Sequence, residues 1–128
     1  MKISYFLYIA CMCLISLLPA CHLMHNNDLE VTVSESEDSY ELAAYFDESK
    51  TSAIQSYINR ELRPNSVFGS VTDKLNITTM LDDKTTFHIN SSPGKLKITL
   101  DKKENSKASY YRIKKIGEGV HSILVQKN

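Results

Sequence analysis

The chain has no tryptophan and, among 128 residues, only four glycines, three prolines and three cysteines. Two of the cysteines, Cys11 and Cys13, lie in the apolar N-terminal stretch, and the third, Cys21, closes it. This distribution excludes a disulfide framework for the rest of the chain, so that part must be stabilised by packing. The scarcity of glycine and proline, together with the lack of internal repeats, argues against a fibrous or low-complexity protein.

The first 20 residues have the three parts of an export signal. Lys2 supplies the positive charge, and the run from residue 3 to residue 18 is almost wholly apolar. Pro19 ends the apolar segment, and Ala20 provides the small side chain that a signal peptidase requires before the cut. We therefore expect residues 1–20 to be removed and Cys21 to become the first residue of the mature chain.

Leu18, Ala20 and Cys21 match the lipobox of bacterial lipoproteins, in which a leucine, a variable residue and a small residue precede the cysteine. Pro19 is a less common occupant of the variable position, and the resemblance covers the first 21 residues only. The resemblance implies a diacylglycerol on the Cys21 thiol and an acyl chain such as palmitate on its amino group. It also implies a location in the outer membrane, facing the periplasm or the cell surface, because His22 stands where an aspartate would signal retention in the inner membrane.

Three other interpretations remain open for this N-terminus. They are an uncleaved membrane anchor, ordinary secretion, and eukaryotic secretion, for which the sequons that begin at Asn76 and Asn90 fit the glycosylation pattern. Because this pattern is short and common, we interpret both sequons as accidental. A secreted chain with one leftover thiol requires a special explanation, and lipidation of Cys21 provides one.

Removing 20 of the 128 residues leaves 108, which is enough for one domain with a real core. We expect residues 21–28 to form the lipidated cysteine and a short tether, and residues 29–128 to form a single α+β domain. Charge is uneven along this domain: the segment 28–48 holds eight acidic and no basic residues, whereas the segment 95–128 holds nine basic and three acidic ones. Either the two segments pair inside the fold, or they form a polarised surface that docks a charged partner.

Apolar periodicity predicts the fold class. Residues 48–62 have the spacing of an amphipathic helix, with Ile54, Tyr57, Ile58 and Leu62 on one face and a following proline that ends it. Most of the remaining chain alternates as strands do, and Ser92-Pro93-Gly94 suits a type II turn. For the C-terminus we expect a strand through 111–113, a turn at 117–119 and a last strand to residue 125. The prediction is an antiparallel sheet of four to six strands with one amphipathic helix packed on one face.

The residues that suggest chemistry are few. His22, Met24 and His25 in the tether have a spacing that suits a soft metal, but they lie on a short polar segment without a full ligand set. In the domain, the candidates are His88, His121 and the adjacent pair Asp82-Asp83, which we interpret as a turn. No nucleophile motif or phosphate loop is present. We therefore predict no catalytic residue, no metal site and no cofactor, and lipidation of Cys21 as the one site.

The function expected from these features is that of a non-catalytic binding or assembly module in the bacterial envelope. Its partners are the lipid membrane, through acylated Cys21, and an envelope protein or polysaccharide. Export makes a nucleic-acid partner improbable. The alternative is a small envelope hydrolase or metal-dependent enzyme, which would require His88, His121, Asp82 and Asp83 to converge in one pocket.

Overall fold

The computed structural model describes residues 29–69 and 74–126. They form five strands, two α-helices and one 3-10 turn. In chain order these are β1 (Glu30–Glu35), β2 (Ser39–Tyr45), the 3-10 turn (Glu48–Lys50), α1 (Thr51–Glu61), β3 (Leu75–Met80), β4 (Thr86–Ser92), β5 (Lys95–Asp101) and α2 (Lys107–Val125).

All five strands belong to one antiparallel sheet, in the order β1-β2-β5-β4-β3. Residues directly opposite each other on paired strands share a face, so the register divides the side chains into two sets. One set, which includes Leu42, Ile89 and Ile98, is almost completely buried under the helices. We call this side of the sheet the core face and the other side the open face.

Helix α1 forms where the apolar spacing predicted it. The Asp47 side chain accepts a hydrogen bond from the Ser49 backbone N–H at 2.9 Å and thereby caps the 3-10 turn that leads into the helix. Ile54, Ile58 and Leu62 are buried against the sheet, and Tyr57 is half-buried at its margin. These positions confirm the predicted helix and its apolar face.

The C-terminal prediction was wrong, because residues 107–125 form one helix instead of two strands and a turn. Ser106 begins α2 by accepting a hydrogen bond from the Ser109 N–H at 3.1 Å. The buried side chains Ile113, Ile116, Val120 and Leu124 then follow a helical spacing. The pair of glycines at 117 and 119, interpreted as a turn, has another role: it makes room for tyrosine side chains of β2 and α1.

The predicted α+β class is confirmed, and the five strands fall within the expected four to six. The helical layer contains two helices where one was expected. Val67 and Phe68 lie in a loop held by Asn59. The β4–β5 connection is the predicted turn, with Gly94 at a φ of 76°.

Candidate binding surfaces

The predicted lipidation site and the tether residues lie outside the described part of the chain. Cys21, His22, Met24 and His25 all precede residue 29, and the same holds for the predicted signal. Their roles therefore stay predictions. The remaining candidates, His88, His121, Asp82 and Asp83, can be located in the fold.

His88 lies on the open face of β4, and both of its ring nitrogens are engaged by β3. Its Nε2 is 2.6 Å from Asn76 Oδ1, and its Nδ1 is 2.9 Å from Thr78 Oγ1. A histidine acts as a metal ligand or general base through a free ring nitrogen, so His88 would have to give up one of these bonds first. The arrangement suits a side chain that ties two strands together.

The two aspartates of the β3–β4 turn are engaged in structural contacts. Asp82 exchanges hydrogen bonds with the Asn65 side chain, at 3.1 Å through its carboxylate and at 3.2 Å through its backbone N–H. Asp83 accepts a hydrogen bond from the Thr85 N–H at 3.0 Å and forms an ion pair with Arg112 of α2 at 2.8 Å. The hydrogen bonds from Thr85, with a further contribution from Arg112, hold the pKa of Asp83 below its usual value.

These four residues do not converge. His88 lies on the open face of the sheet, whereas His121 is exposed on α2 on the other side, and the aspartates occupy a turn. Within residues 29–69 and 74–126, no cluster of three or more His, Cys, Asp or Glu side chains is arranged to hold a metal ion. The four residues that the enzyme alternative would bring together therefore lie apart in the described part of the chain. In the same part of the chain, no helix has both the length and the apolar character to cross a membrane.

The acidic and basic segments pair with each other inside the fold. Glu41 of β2 and Lys97 of β5 meet across the sheet because these strands are neighbours, and the other pairs join β1 and the β1–β2 connection to residues after β5. Ion pairs join Lys97 to Glu41 at 3.8 Å, Lys103 to Asp38 at 3.4 Å, and both Lys102 and Lys114 to Glu35 at 3.8 and 3.7 Å. This result favours internal charge complementarity over a polarised surface.

Tyr110 is the centre of this pairing at one end of α2. Its hydroxyl donates a short hydrogen bond to Glu35, and the ammonium groups of Lys102 and Lys114 lie 4.4 and 5.6 Å from its ring centre. The hydrogen bond from Tyr110, followed by the charges of the two lysines, lowers the pKa of Glu35, and the same bond raises the pKa of Tyr110. The network fixes the end of β1 against α2, although sequence reasoning placed Tyr110 and Lys114 on or near a strand.

Beyond this network, an open groove of about 380 Å³ runs between β1 and α2. Val31 and Val33 form its sheet side, and its helix side presents Lys114, Glu118 and His121. Val33 is 56% exposed, although its side chain lies on the core face opposite buried Leu42. The core face of β1 is thus left partly uncovered by α2, which creates an apolar surface with a polar rim.

The open face of the sheet is polar by comparison. A depression of about 150 Å³ has Ala43 as its floor and is lined by Tyr45, Asn90, Lys95 and Lys97. Tyr45 is 49% exposed, and the Lys95 ammonium group lies 5.5 Å from its ring centre. An exposed ring beside amide and ammonium donors suits a hydroxyl-rich ligand better than an apolar protein surface.

Sequence reasoning missed the groove. The alternation of Leu29, Val31 and Val33 correctly predicted a strand, but the exposure of that strand depends on where α2 lies. The segment of α2 was expected to form two strands. The sequence pattern therefore did not indicate a helix that covers the sheet but leaves the core face of β1 partly exposed.

No protein-family model, curated protein or solved structure matches this chain.

Proposed function

We propose that the protein is a bacterial envelope lipoprotein, held to the membrane by acyl chains on Cys21, whose domain is a non-catalytic binding module for an envelope protein. The observation that carries the proposal is the position of Cys21. It directly follows Leu18-Pro19-Ala20, it stands nine residues before β1, and it is the one cysteine left once the signal is removed. Two or more acyl chains make such an anchor effectively stable, because each buried CH₂ contributes about 0.8 kcal/mol.

The short tether limits where the domain works. Residues 22–29 span at most about 28 Å when fully extended, at ~3.5 Å per residue. Glu30, where β1 begins, lies at the end of the sheet that also carries Tyr45 and Lys95. That end of the domain therefore stays close to the bilayer, and a partner of the module is another component at the same membrane.

The groove between β1 and α2 is the proposed docking surface for that partner. An exposed apolar surface surrounded by polar residues is typical of protein interfaces, and the exposed side chain of Val33 lines this groove. An envelope polysaccharide is the second candidate partner. The depression beside Tyr45 on the open face favours a polysaccharide. An aromatic ring can stack on the apolar C–H face of a sugar, and nearby amide and ammonium groups can donate hydrogen bonds to its hydroxyl groups.

Two measurements test the proposal. Cys21→Ser is expected to abolish lipid modification and to shift the protein from the membrane fraction to the soluble fraction. Normal maturation and unchanged fractionation of this variant would overturn the anchor.

A photo-crosslinking residue at position 33 tests the docking surface in intact membranes, with position 32 as the matched control. The side chains at these neighbouring positions lie on opposite faces of β1. We expect one discrete product with an envelope protein from position 33. Ser122 also lines the helix side of the groove, so Ser122→Arg is expected to fill it and to abolish this product. Equal products from both positions, or none, would contradict docking in the groove.

A further inference from the structure

The two edge strands of the sheet differ in how they are protected. Native proteins discourage pairing at a sheet edge with charged residues, prolines or bulges. β1 carries a glutamate at each end, Glu30 and Glu35. β3, with the sequence Leu-Asn-Ile-Thr-Thr-Met, contains neither a charged residue nor a proline, and it pairs in regular register with β4 over its whole length.

β3 also exposes apolar side chains. Ile77 lies on the core face opposite Ile89, which is completely buried, yet Ile77 itself is 38% exposed. Met80 at the end of the strand is 60% exposed. Among the described residues, β3 pairs with β4 alone. The backbone N–H and C=O groups on its other side can therefore pair with a further strand.

We propose that two copies of this domain associate through β3, which pairs antiparallel with its own copy about a two-fold axis to give one continuous ten-stranded sheet. The axis is perpendicular to the sheet, so the helices of both copies lie on the same side. Such an isologous contact closes on itself and does not extend into a filament.

The register of the pair follows from the faces of the strand. Opposed residues of an antiparallel pair share a face, so each odd-numbered residue of β3 must meet an odd-numbered residue of the other copy. Pairing centred on Ile77 satisfies this rule and places Ile77 against its own counterpart. It also places Leu75 opposite Thr79 on the core face and Asn76 opposite Thr78 on the open face. Within residues 75–79, apolar side chains then meet β-branched ones and polar side chains meet polar ones. At each end of the pair, Met80 lies opposite Lys74 of the other copy.

Antiparallel pairing of β1 with its own copy would oppose unlike side chains. We therefore assign the contact to β3. Centring on Val33 would place Glu35 opposite Val31, and centring on Thr32 would place Glu35 opposite Leu29. Either register brings carboxylates against aliphatic side chains at an edge. A second copy is the occupant that suits β3 best, because an uncharged strand with this spacing is complementary to itself.

The contact is small, since a single strand pair buries less than the roughly 1,200–2,000 Å² of a standard stable interface. Confinement of both copies to one membrane would favour it by raising their effective concentration. In a dimer about this axis, the strands of the two copies run in opposite directions. The two tethers therefore leave the dimer at opposite ends of the strands. Strands of six or seven residues are about 20 Å long, so both tethers reach one bilayer when the strands run along its surface.

The test is thiol crosslinking of the full-length protein in its native membranes. Ile77→Cys and Val33→Cys are matched variants, because both residues are exposed aliphatic side chains on the core face of an edge strand. With a short bismaleimide, Ile77→Cys is expected to give a product of twice the chain mass as the main species, and Val33→Cys and the unsubstituted protein are expected to give none. The unsubstituted protein also controls for any reactivity of Cys21.

A double-mass product from Val33→Cys alone, a product of Ile77→Cys with a different protein, or no product at position 77 would overturn the proposal. As a second measurement, the mass of the purified protein is determined by light scattering at high concentration. We expect a two-chain mass that Ile77→Lys reduces to one chain and that Val33→Lys leaves unchanged. A one-chain mass before substitution, or the reverse order of effects, contradicts pairing through β3. The light-scattering result does not require acylation of Cys21, so it separates failure of the dimer from failure of the proposed anchor.

Discussion

The α-carbon of Gly117 lies against the phenolic hydroxyl of Tyr40, so that α2 crosses β2 at a point where its helix surface has no side chain. A β-carbon at position 117 would overlap the Tyr40 hydroxyl oxygen and would lie 3.3 Å from Cζ of the same ring. Tyr40 is 2% exposed and cannot move aside without disturbing the core. The close approach of helix and sheet therefore depends on this glycine.

Gly117→Ala is expected to lower the free energy of unfolding. Overpacking a core costs about 1–3 kcal/mol, and the better helix propensity of alanine returns at most about 1 kcal/mol. In a Tyr40→Phe background the overlapping oxygen is gone, so the same substitution is expected to cost clearly less. Urea unfolding of the four proteins of this double-mutant cycle measures the coupling between the two positions. Equal costs in both backgrounds would show that the hydroxyl does not limit the approach.

Gly119→Ala serves as the control for that cycle. A β-carbon at 119 would overlap the Tyr57 ring, but Tyr57 is only half-buried and can rotate toward solvent. We expect a smaller loss of stability than for Gly117→Ala, and the reverse order would contradict the assigned difference between the two contacts.

Tyr40 also makes stability sensitive to alkaline pH. Burial, with smaller contributions from the charges of Glu118 and Glu35, raises the pKa of Tyr40 from 10.0 to about 12. The neutral phenol is thus favoured in the folded state, and its contribution is complete below pH 10 and is lost as the pH rises from 10 toward 12. Urea unfolding across this range should show a steeper loss for the parent protein than for Tyr40→Phe. Parallel curves for the two proteins would be inconsistent with a buried phenol at this position.

Asn59 holds the loop that follows α1. Its Oδ1 accepts hydrogen bonds from the backbone N–H groups of Val67 and Phe68 at 2.9 and 3.1 Å, and its Nδ2 donates to the Phe68 carbonyl at 2.8 Å. Asn59→Ala leaves three partly buried backbone groups without these partners, and we expect a loss of about 1–3 kcal/mol in the free energy of unfolding. Ser56→Ala, on the exposed side of the same helix, is the control and should stay within about 0.5 kcal/mol of the parent. Similar small effects for both variants would mean that the loop does not depend on Asn59.

Asp83 contributes to stability above acidic pH. Because its pKa is held below the ordinary 3.8, its contribution is present at neutral pH and is lost as the pH falls below about 4. Asp83→Asn is expected to lower stability slightly at pH 7, by less than about 1 kcal/mol for a partly exposed pair with Arg112. Between pH 6 and pH 2.5, the melting temperature of this variant should fall less than that of the parent. An equal fall would indicate that the acid sensitivity arises from other carboxylates.

The strands and the first helix could be predicted because each alternates or repeats clearly within a few residues. Leu96, Ile98 and Leu100 alternate with polar residues, and all three are buried on β5. The second helix could not be predicted because its two glycines and its β-branched residues favour a turn and strands locally. Its helical state depends on burying Ile113 and Val120 against a sheet made of distant segments, which outweighs local propensity.

The same limit applied to polar side chains on α1. Gln55 and Asn59 lie outside the predicted apolar face of Ile54, Tyr57, Ile58 and Leu62, yet Gln55 is buried and Asn59 binds a loop. Their roles depend on tertiary neighbours that a helical repeat does not encode. The candidate groove could not be predicted for a related reason. It exists because α2 leaves the core face of β1 partly uncovered.

The proposed membrane anchor depends most directly on the chemical state of residue 21. Intact-mass and N-terminal peptide mass spectrometry of the native protein, extracted from membranes, measure that state. We predict a chain that starts at Cys21 and carries a diacylglyceryl group on sulfur. A chain that retains residues 1–20, starts elsewhere, or carries an unmodified Cys21 would contradict the proposed lipid anchor.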